Sequence, residues 1–571
     1  MPRIRPLFNN FTSGEVSPVM SARADTDQFR KSCKQIKNCI CDTRGGIFSR
    51  PGILFAGTPK ANNLVRFIPF IVSRGTSYII EVGPLYFRFW KNDGTQIESS
   101  PGVPLEVVTP YIAGEISDIQ YAQSNDVLYL VVDDKNPRKL TRVSETSWTL
   151  SQPTFNGAVW NGNADAHADG FPRTICFWQQ RLVFGGRAAG PQTLWTSRVA
   201  DFEEFAVGAT NADDDPLILE IAATTQELIQ WLAPGTALFV GTTGNEHRLL
   251  VNGYLAPSNP PDIARQSQYG SRYMQPLYIG RQVIFVQATG KRLRNYDLNI
   301  NANVESYDSI DLSYLARHMT ADKINQMAYA QIEESVVWIV TDIGELKSMT
   351  YDPSLGGTGF EAVGWQDHPV DGTVEAVGVI PTDEIDMVWT CIDRGGTRYI
   401  GYQVDDDYLL DASVIYDSTL ATTISGFDHL EGETIQVVAD GAVLPDHLVT
   451  SGDITLTDAA RYVRGGLSYT QRIESQRPDA GAQDGTTQGR PIQFNEIFVN
   501  LLNSVLPTIN GKRIPDRSVD TDMDSAEPLF TGDRKINNLG VSLEETIIVE
   551  NTLPVRMQVL ALHGTLSVGT E

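Results

Sequence analysis

Three cysteines, Cys33, Cys39 and Cys41, form the densest group of reactive side chains in the sequence, within nine residues of chain. Three thiolates could begin a tetrahedral zinc site. A fourth ligand is not evident nearby, and Cys-x-Cys spacing differs from that of the common zinc hairpin, so small buried thiols explain the cluster equally well. We therefore predict no metal centre and no cofactor. The odd total of five cysteines also argues against a disulfide framework and is typical of synthesis in a reducing cytosol.

Two adjacent acid–histidine pairs, Glu246–His247 and Asp367–His368, are the next candidates for chemistry. Successive side chains of a β-strand point to opposite faces, so adjacency in a strand does not build a catalytic dyad. The acidic runs 213–215 and 405–407 could supply the two carboxylates that glycoside hydrolysis requires. Both runs lie beside turn-like sequence, where carboxylates usually cap backbone N–H groups or stay solvated.

The usual nucleotide-binding, zinc-protease and serine-hydrolase motifs are absent from the sequence. We therefore predict that the chain is not an enzyme. A carbohydrate-active or receptor-binding β-propeller remains the alternative interpretation.

A repeat in the sequence predicts the β-strands that would hold these side chains. Seven short apolar strands recur at intervals of 45 to 56 residues, each followed by a turn rich in Gly, Asp or Asn and then by a basic residue. The strands are marked by Ile79, Val127, Val183, Leu238, Val283, Val336 and Met387, and the basic residues are Arg88, Arg138, Arg198, Arg248, Arg292, Lys347 and Arg398.

A repeat of this length with about four short strands is typical of propeller blades, which must stack on their neighbours to bury their faces. The prediction is a mainly β fold with a propeller-like body of six or seven blades, additional small β-domains and an extended N-terminal segment. Four regions follow: a basic docking segment over 1–75, the propeller-like body over 76–410, a small β-domain over 411–475 and a C-terminal β-domain with polar loops over 476–571. Unrelated hairpins in one or two β-sandwiches remain the alternative.

The formal charge is −25, with 45 basic against 70 acidic residues, and its distribution is uneven. Residues 1–75 hold twelve basic and four acidic residues, a net +8, so the remainder carries −33. Such an acidic surface repels nucleic acid, because phosphate binding depends on Lys and Arg. The basic segment could bind nucleic acid or dock on an acidic protein surface. No apolar run is long enough to span a bilayer, and the N-terminus lacks the apolar core of a secretory signal.

Short motifs along nearly the whole chain resemble tail nozzle proteins (tail tubular protein B type) of short-tailed bacteriophages. The N-terminal motifs are Phe11–Pro18, Arg23–Asp27, Cys39 and Arg44–Gly52. Later ones are Ile119–Tyr129, Pro137–Arg142, Gln180–Phe184, Leu194–Ser197, Gly241–Glu246 and Gly426–Gly432. Each motif is a structural signature and not a reaction centre.

The resemblance implies a structural virion protein of the phage tail, assembled in the host cytoplasm. In this family six copies form a ring at the distal end of the tail tube, attached to the tail adaptor (head–tail connector) ring, and viral DNA passes through the lumen without sequence-specific binding. Tail fibres or spikes would be further partners, and loops of the ring can act as a gate.

Within this interpretation we expect the N-terminal segment to dock on the adaptor or on neighbouring subunits. Its candidate residues are Arg23, Arg44, Arg50, Pro51 and Gly52. The polar loops 477–490 and 516–527 are candidates for elements of the lumen or the tip.

Overall fold

The repeated apolar strands occupy one position throughout the fold. In a computed structural model of the protein, each of the seven marker residues lies on the second strand of a four-stranded antiparallel blade, and the last two blades are continued by further strands into larger sheets. The structure describes residues 3–161, 165, 167–208, 211–223, 225–301, 304–332, 334–354, 363–479, 488–515, 525–537 and 545–568. The second strands are nearly continuous apolar runs because each blade buries both of its faces against neighbouring blades.

The N-terminal segment consists of short strands and little helix. Its one α-helical turn, α1 (Asp27–Arg30), is capped by the Thr26 hydroxyl, which accepts a hydrogen bond from the Phe29 N–H. The strands are β1 (Arg3–Ile4), β2 (Leu7–Phe8), β3 (Gly14–Glu15), β4 (Ser32–Lys37), β5 (Cys39–Cys41), β6 (Ile47–Ser49) and β7 (Ile53–Gly57). Single 3₁₀ turns lie at Pro18–Met20, Lys60–Asn62, Ile116–Asp118, Tyr314–Ala316 and Asp428–Leu430.

The first three blades follow in chain order. Blade 1 comprises β8 (Arg66–Ser73), β9 (Thr76–Gly83), β10 (Tyr86–Lys91) and β13 (Val107–Val108), with a hairpin of β11 (Glu98–Ser100) and β12 (Val103–Pro104) inserted before its last strand. Blade 2 comprises β14 (Gln120–Ser124), β15 (Val127–Val132), β16 (Lys135–Ser144) and β17 (Ser147–Ser151). Blade 3 comprises β18 (Thr174–Trp178), β19 (Arg181–Arg187), β20 (Gly190–Thr196) and β21 (Leu217–Glu220).

The next three blades repeat the same order of strands. Blade 4 comprises β22 (Ile229–Pro234), β23 (Leu238–Thr242), β24 (Glu246–Leu250) and β25 (Asp262–Ser267). Blade 5 comprises β26 (Leu277–Ile279), β27 (Gln282–Val286), β28 (Leu293–Asn301) and β29 (Val304–Asp308). Blade 6 comprises β30 (Ile324–Ala330), β31 (Val336–Thr341), β32 (Leu346–Tyr351) and β33 (Val363–His368).

Blade 7 is closed by a strand from the other end of the chain. Its first three strands are β34 (Thr373–Pro381), β35 (Asp386–Arg394) and β36 (Thr397–Gln403), and its fourth is β7, antiparallel to β36 with Gly401 opposite Phe55. Blade 7 packs on blade 1 through a cluster that includes Phe67, Trp90 and Trp389. The propeller therefore has seven blades, within the predicted six or seven, and the last contains an N-terminal strand.

A small sheet continues outward from this closing strand. It consists of β37 (Asp411–Ser425), β38 (Thr434–Ala439), β39 (Ala442–Leu448) and β40 (Asp453–Leu467), and β37 runs parallel to β7 with Ser413 opposite Leu54. Its core includes Phe427, Leu430 and Ile435. The predicted hairpin turn at Asp440–Gly441 joins β38 to β39.

Both ends of the chain build a β-sandwich beside blade 6. The remaining strands are β41 (Gln471–Ser475), β42 (Ile492–Ser504), β43 (Thr508–Ile509), β44 (Lys512–Arg513), β45 (Phe530–Asn537), β46 (Ile548–Asn551) and β47 (Gln558–Val568). One sheet extends blade 6 in the order β33-β3-β4-β41-β46-β43-β44, and the other has the order β45-β42-β47-β6-β5, with β1 and β2 also paired to β47. The core between the sheets includes Phe11, Cys33 and Phe494.

The structural boundaries differ from the predicted ones. The propeller begins at Arg66 and not at residue 76, and the segment 1–75 does not form a unit of its own. Its strands enter the sandwich, the sheet of blade 6 and blade 7. These partners are hundreds of residues away, so local sequence could not identify them.

Gly401 packs directly against the closing strand β7, so a larger residue there tests whether the two strands must lie this close. A Cβ atom there would lie 2.6 Å from the Leu54 carbonyl oxygen of β7, closer than van der Waals contact allows. We expect Gly401→Ala to lower the free energy of unfolding by about 1–3 kcal/mol, because the methyl group must push the closing strand away. Urea unfolding measures the loss. Gly114→Ala is the matched control, since a Cβ there meets no atom within 4 Å; equal loss in both variants would contradict the prediction.

Candidate docking surface

The five predicted docking residues fall into two environments. Arg50 is completely buried, and Pro51 and Gly52 continue from it into β7. The side chains of Arg23 and Arg44 are 56% and 79% exposed. The second group has largely exposed side chains, whereas in the first group only Pro51 is partly exposed.

Arg50 bridges parts of its own chain. Its Nη2 lies 2.7 Å from Oδ2 of Asp411, and its Nε donates to Oδ1 of Asn38 at 3.3 Å. The guanidinium also lies over the ring of Tyr469, 4.3 Å from its centroid. Burial alone would lower the pKa of Arg50. The nearby Asp411 and Tyr469 have the larger combined effect, so the pKa of Arg50 is raised. Arg50 therefore joins the sandwich to the small sheet.

Gly52 is required by a close approach of two backbones. A Cβ atom at this position would lie 2.5 Å from the carbonyl oxygen and 2.7 Å from the nitrogen of Leu410. The Gly52 carbonyl accepts a hydrogen bond from the Val404 N–H at 3.3 Å. Arg50–Gly52 is thus the passage by which the chain leaves the sandwich and enters blade 7, and that role explains these residue types without a partner protein.

Arg44 lies at the turn between β5 and β6. Its Nη2 is 2.7 Å from Oδ2 of Asp42 and 3.1 Å from Oε1 of Glu334, a residue of the β30–β31 turn in blade 6. Burial and the nearby Asp42 charge raise the pKa of Glu334. Arg44 therefore ties the sandwich to blade 6 while most of its side chain faces solvent.

Arg23 belongs to an exposed surface that we call the basic–aromatic patch, formed by Val19, Arg23, Tyr314 and Arg317. Val19 is 87% exposed and Tyr314 is 52% exposed. The Arg317 guanidinium lies 4.9 Å from the Tyr314 ring centroid, and Arg23 is close enough for Tyr314 to raise its pKa, after the larger effects of Asp25.

A backbone bond holds the two halves of the patch together. The Ser17 N–H donates to the Leu315 carbonyl at 2.8 Å, which fixes the Pro18–Met20 turn beside the Tyr314–Ala316 turn. The prediction found only Arg23 of this patch. Tyr314 and Arg317 follow blade 5 in the chain, and no local signal connects them with the N-terminus.

Much of the remaining N-terminal positive charge is satisfied within the chain. Lys34 pairs with Glu474 at 2.9 Å and Arg74 with Asp386 at 2.8 Å. Arg66 donates to the carbonyls of Ile116, Ser117 and Ile119. The segment's net charge of +8 therefore overstates the charge available to a partner.

The basic residue that recurs in each blade forms ion pairs with nearby carboxylates. The pairs are Arg88–Glu106, Arg138–Asp165, Arg198–Asp214, Arg248–Asp262, Arg292–Asp311, Lys347–Asp367 and Arg398–Glu375. Glu106, Asp262 and Asp367 lie on or directly beside the fourth strand of their blade, and Asp214 and Asp311 lie three residues from it. Asp165 follows blade 2, and Glu375 lies on the first strand of blade 7. The repeated charge is therefore paired within or next to its own blade.

The two acid–histidine pairs are separated as strand geometry predicts. Glu246 accepts from Ser271 Oγ at 3.1 Å, whereas Nε2 of the adjacent His247 lies 3.5 Å from Glu227. Asp367 pairs with Lys347 at 2.7 Å, whereas Nε2 of His368 lies 2.7 Å from Ser348 Oγ. Neither pair forms a dyad.

The acidic runs are engaged by neighbouring groups. Asp213 accepts from Ser258 Oγ at 2.9 Å, Asp214 pairs with Arg198 at 2.8 Å, and Asp215 accepts from the Ala212 N–H at 2.9 Å. In the second run, Asp406 pairs with the buried Arg464 and Asp407 lies 3.3 Å from Arg556.

Cys33, Cys39 and Cys41 are buried in the sandwich core, where burial raises the pKa of each thiol and that of Cys41 to about 12. In the part of the chain that the structure describes, no three His, Cys, Asp or Glu residues are arranged to hold a metal ion.

A cavity of about 540 Å³ lies on the propeller axis, lined mainly by first strands of the blades. Side-chain amides cross it. The Gln275 amide donates to the Tyr121 carbonyl at 3.1 Å, and Gln120 Nε2 donates to the Gln230 carbonyl at 2.7 Å. These bonds connect blade 2 with blade 4 and with the segment that enters blade 5, so the axis of a single chain is bridged.

The two polar loops lie largely outside the described residues, at 480–487 and 516–524. At the described edge of the first loop, Gln488 Nε2 donates to the Ala22 carbonyl at 3.3 Å. Among described residues, no helix has the length and apolar character needed to cross a membrane.

Comparisons with known proteins find only distant structural similarity. No family model and no curated protein matches the chain. Similar solved structures include the RRP9 WD40 repeats (10% identity, TM-score 0.35, 61% of this chain and 98% of that chain). The Myceliophteria thermophila Cps50 (Swd1) β-propeller domain is similar at 8% identity and TM-score 0.38, over 62% of this chain and 99% of that chain. Chaetomium thermophilum Raptor matches at 12% identity and TM-score 0.40, over 64% of this chain but only 29% of its own length.

Arg50 and Arg23 should respond differently to substitution. We expect Arg50→Met to lower the free energy of unfolding by about 3–5 kcal/mol, because it leaves the buried Asp411 carboxylate without its partner. Arg23→Met removes an exposed ion pair that solvent screens, and it should leave the urea midpoint nearly unchanged. Urea unfolding of both variants tests this, and similar losses would show that Arg50 does not have the structural role described.

The buried His368 should make the free energy of unfolding depend on pH. Burial, reinforced by the charges of Arg50 and Lys347, lowers the pKa of His368 well below its ordinary value. As pH falls below about 6.5, the unfolded chain binds a proton that the folded chain does not, so stability should fall by up to about 1.4 kcal/mol per pH unit. Urea unfolding between pH 7.5 and 5 should show a shallower dependence for His368→Gln. His447→Gln, which changes a partly exposed histidine on β39, is the control and should keep the wild-type slope; equal slopes in all three proteins would refute the assignment.

Proposed function

We propose that this chain is the subunit of a tail nozzle in a short-tailed bacteriophage, a structural ring that conducts DNA during ejection. The observation that carries the proposal is the series of nozzle-like motifs that runs in order through nearly the whole sequence. These motifs occupy structural positions. Arg44–Gly52 forms the passage from the sandwich into blade 7, and Gly241–Glu246 forms a blade turn.

The architecture is suited to the wall of a conduit. Seven blades are closed by an N-terminal strand, and both chain ends are interleaved in the sandwich, so the body resists local opening. Because amide side chains bridge the propeller axis, we assign the DNA passage to the space enclosed by several copies and not to the axial cavity of one chain.

The charge is also suited to DNA passage. Residues 76–571 carry a net −33, and a wall of that charge repels a polyanion and prevents it from adhering. In this proposal the polar loops 477–490 and 516–527 are candidates for the lumen or the tip, the adaptor ring is the attachment partner, and fibres or spikes are further tail partners. The virion is then the place of action.

The test is the mass and symmetry of the purified protein. Native mass spectrometry and negative-stain microscopy should show a sixfold ring, either from the protein alone or after addition of its adaptor ring. The adaptor of the same phage is the specific partner, and an adaptor from an unrelated phage is the control. A protein that stays monomeric with every tail component would overturn the nozzle proposal.

A further inference from the structure

We propose that the axial cavity of the propeller binds a small zwitterion of the α-amino-acid class, with its carboxylate on Arg66 and its ammonium group beside Asp118. The inference goes beyond the ring proposed above, because it concerns the interior of one chain and does not depend on how copies assemble. It rests on one cation and one carboxylate of the cavity wall, neither of which forms an ion pair with a described residue.

Arg66, the first residue of β8 in blade 1, is held through only one of its nitrogens. Its Nη1 donates to the carbonyls of Ile116, Ser117 and Ile119 at 3.3, 2.9 and 2.6 Å. These bonds fix the guanidinium against the 3₁₀ turn at Ile116–Asp118. Within the described part of the chain, Nε and Nη2 have no hydrogen-bond partner, so this edge of the guanidinium is available to a ligand in the cavity.

The Nε–Nη2 edge of an arginine matches a carboxylate. Its two parallel N–H groups donate to the two carboxylate oxygens at once. Because Nη1 is already fixed, little side-chain freedom is lost when the ligand binds. Burial is the largest influence on the pKa of Arg66 and lowers it, so water screens this charge poorly and an anion here is held more strongly than at the surface.

Asp118 supplies the opposite charge. It lines the same cavity and is exposed, so the cavity opens to solvent on this side. Its Oδ1 accepts a hydrogen bond from Ser117 Oγ at 3.3 Å. Arg66 and Asp118 are close enough to influence each other's pKa, but they do not form an ion pair. A gap therefore separates two opposite charges, and a small molecule with both charges can bridge it.

The other charge on the wall is already paired. Among the described residues that line the cavity, the remaining charged one is Arg272, whose Nη2 lies 3.3 Å from Oδ1 of Asp342. One positive and one negative group are therefore left for a ligand. A phosphate would leave Asp118 facing an anion, and a simple amine would leave Arg66 facing a cation, whereas a zwitterion satisfies both groups.

The size and the lining of the cavity also fit such a ligand. Its volume of about 540 Å³ lies within the range of about 300–1,000 Å³ that is typical of small-molecule sites. Tyr121, Tyr273, Met274 and Met327 line it, and aromatic and thioether groups pack well on apolar or aromatic side chains. The wall also includes Asn325, whose amide has no hydrogen-bond partner among described residues.

Ligand analogues test both halves of the contact in the full-length wild-type protein. The probes are phenylalanine, tyrosine, leucine and methionine. At about 10 mM at least one of them should raise the melting temperature, because a ligand that binds only the folded state stabilises it. Isothermal titration calorimetry then compares the best probe with its amide, which lacks the carboxylate, and with its N-acetyl derivative, which lacks the ammonium group. Each analogue should bind at least about tenfold more weakly.

Variants connect the two halves with their residues. Arg66→Gln should weaken binding at least about tenfold and abolish the preference for the amino acid over its amide. Asp118→Asn should abolish the preference over the N-acetyl derivative. Arg265→Gln, which changes an exposed arginine on the outer strand β25 of blade 4, is the matched control and should bind as wild type. Because Arg66 also holds the 3₁₀ turn, urea midpoints check that its variant folds; if it does not, the analogues on the wild-type protein decide alone.

The outcomes separate the two contacts. Failure of all four probes to stabilise the protein, or equal affinity for the amino acid and both analogues, would overturn the proposal. Binding that neither Arg66→Gln nor Asp118→Asn changes would place the ligand elsewhere and overturn it as well. If only the amide loses affinity, the Asp118 contact is refuted, and if only the N-acetyl derivative does, the Arg66 contact is refuted. These measurements do not require ring formation, so their failure leaves the nozzle proposal as it stands.

Discussion

The fold depends on one constraint: a four-stranded blade cannot bury both of its faces alone, so the circle of blades must close. Closure requires β7 at the outer edge of blade 7, and β7 lies before the first blade in the chain. The propeller therefore cannot be completed until its two ends meet. The same strand pairs with the small sheet through Ser413. The short strand β7 therefore belongs both to the propeller and to the small sheet.

This constraint explains why the N-terminal segment has so many buried polar contacts. Before it reaches β7, the chain adds strands to the sandwich and to blade 6, and it then turns through Arg50 and Gly52. A buried charge at such a passage needs several partners in fixed directions. Arginine is suited to this position because its planar group can stack on Tyr469 while it hydrogen-bonds Asp411 and Asn38.

The interior and the surface of the molecule use charge in opposite ways. Within the chain, each recurring basic residue of a blade forms an ion pair with a nearby carboxylate. The surplus acid then lies on the outside, where it keeps polyanions away.

The sequence alone determined the seven second strands, because a short run of apolar, β-forming residues is a local property of the chain. It also determined that Glu246 and His247, or Asp367 and His368, separate onto opposite faces, since strand geometry acts between neighbours. What it could not determine was burial. Arg50 and Arg23 are both basic residues in a basic segment, yet only the tertiary structure buries one against Asp411 and leaves the other beside Tyr314. Those partners are about 300 residues or more away in the chain, and burial is decided by such long-range contacts, which local pattern does not encode.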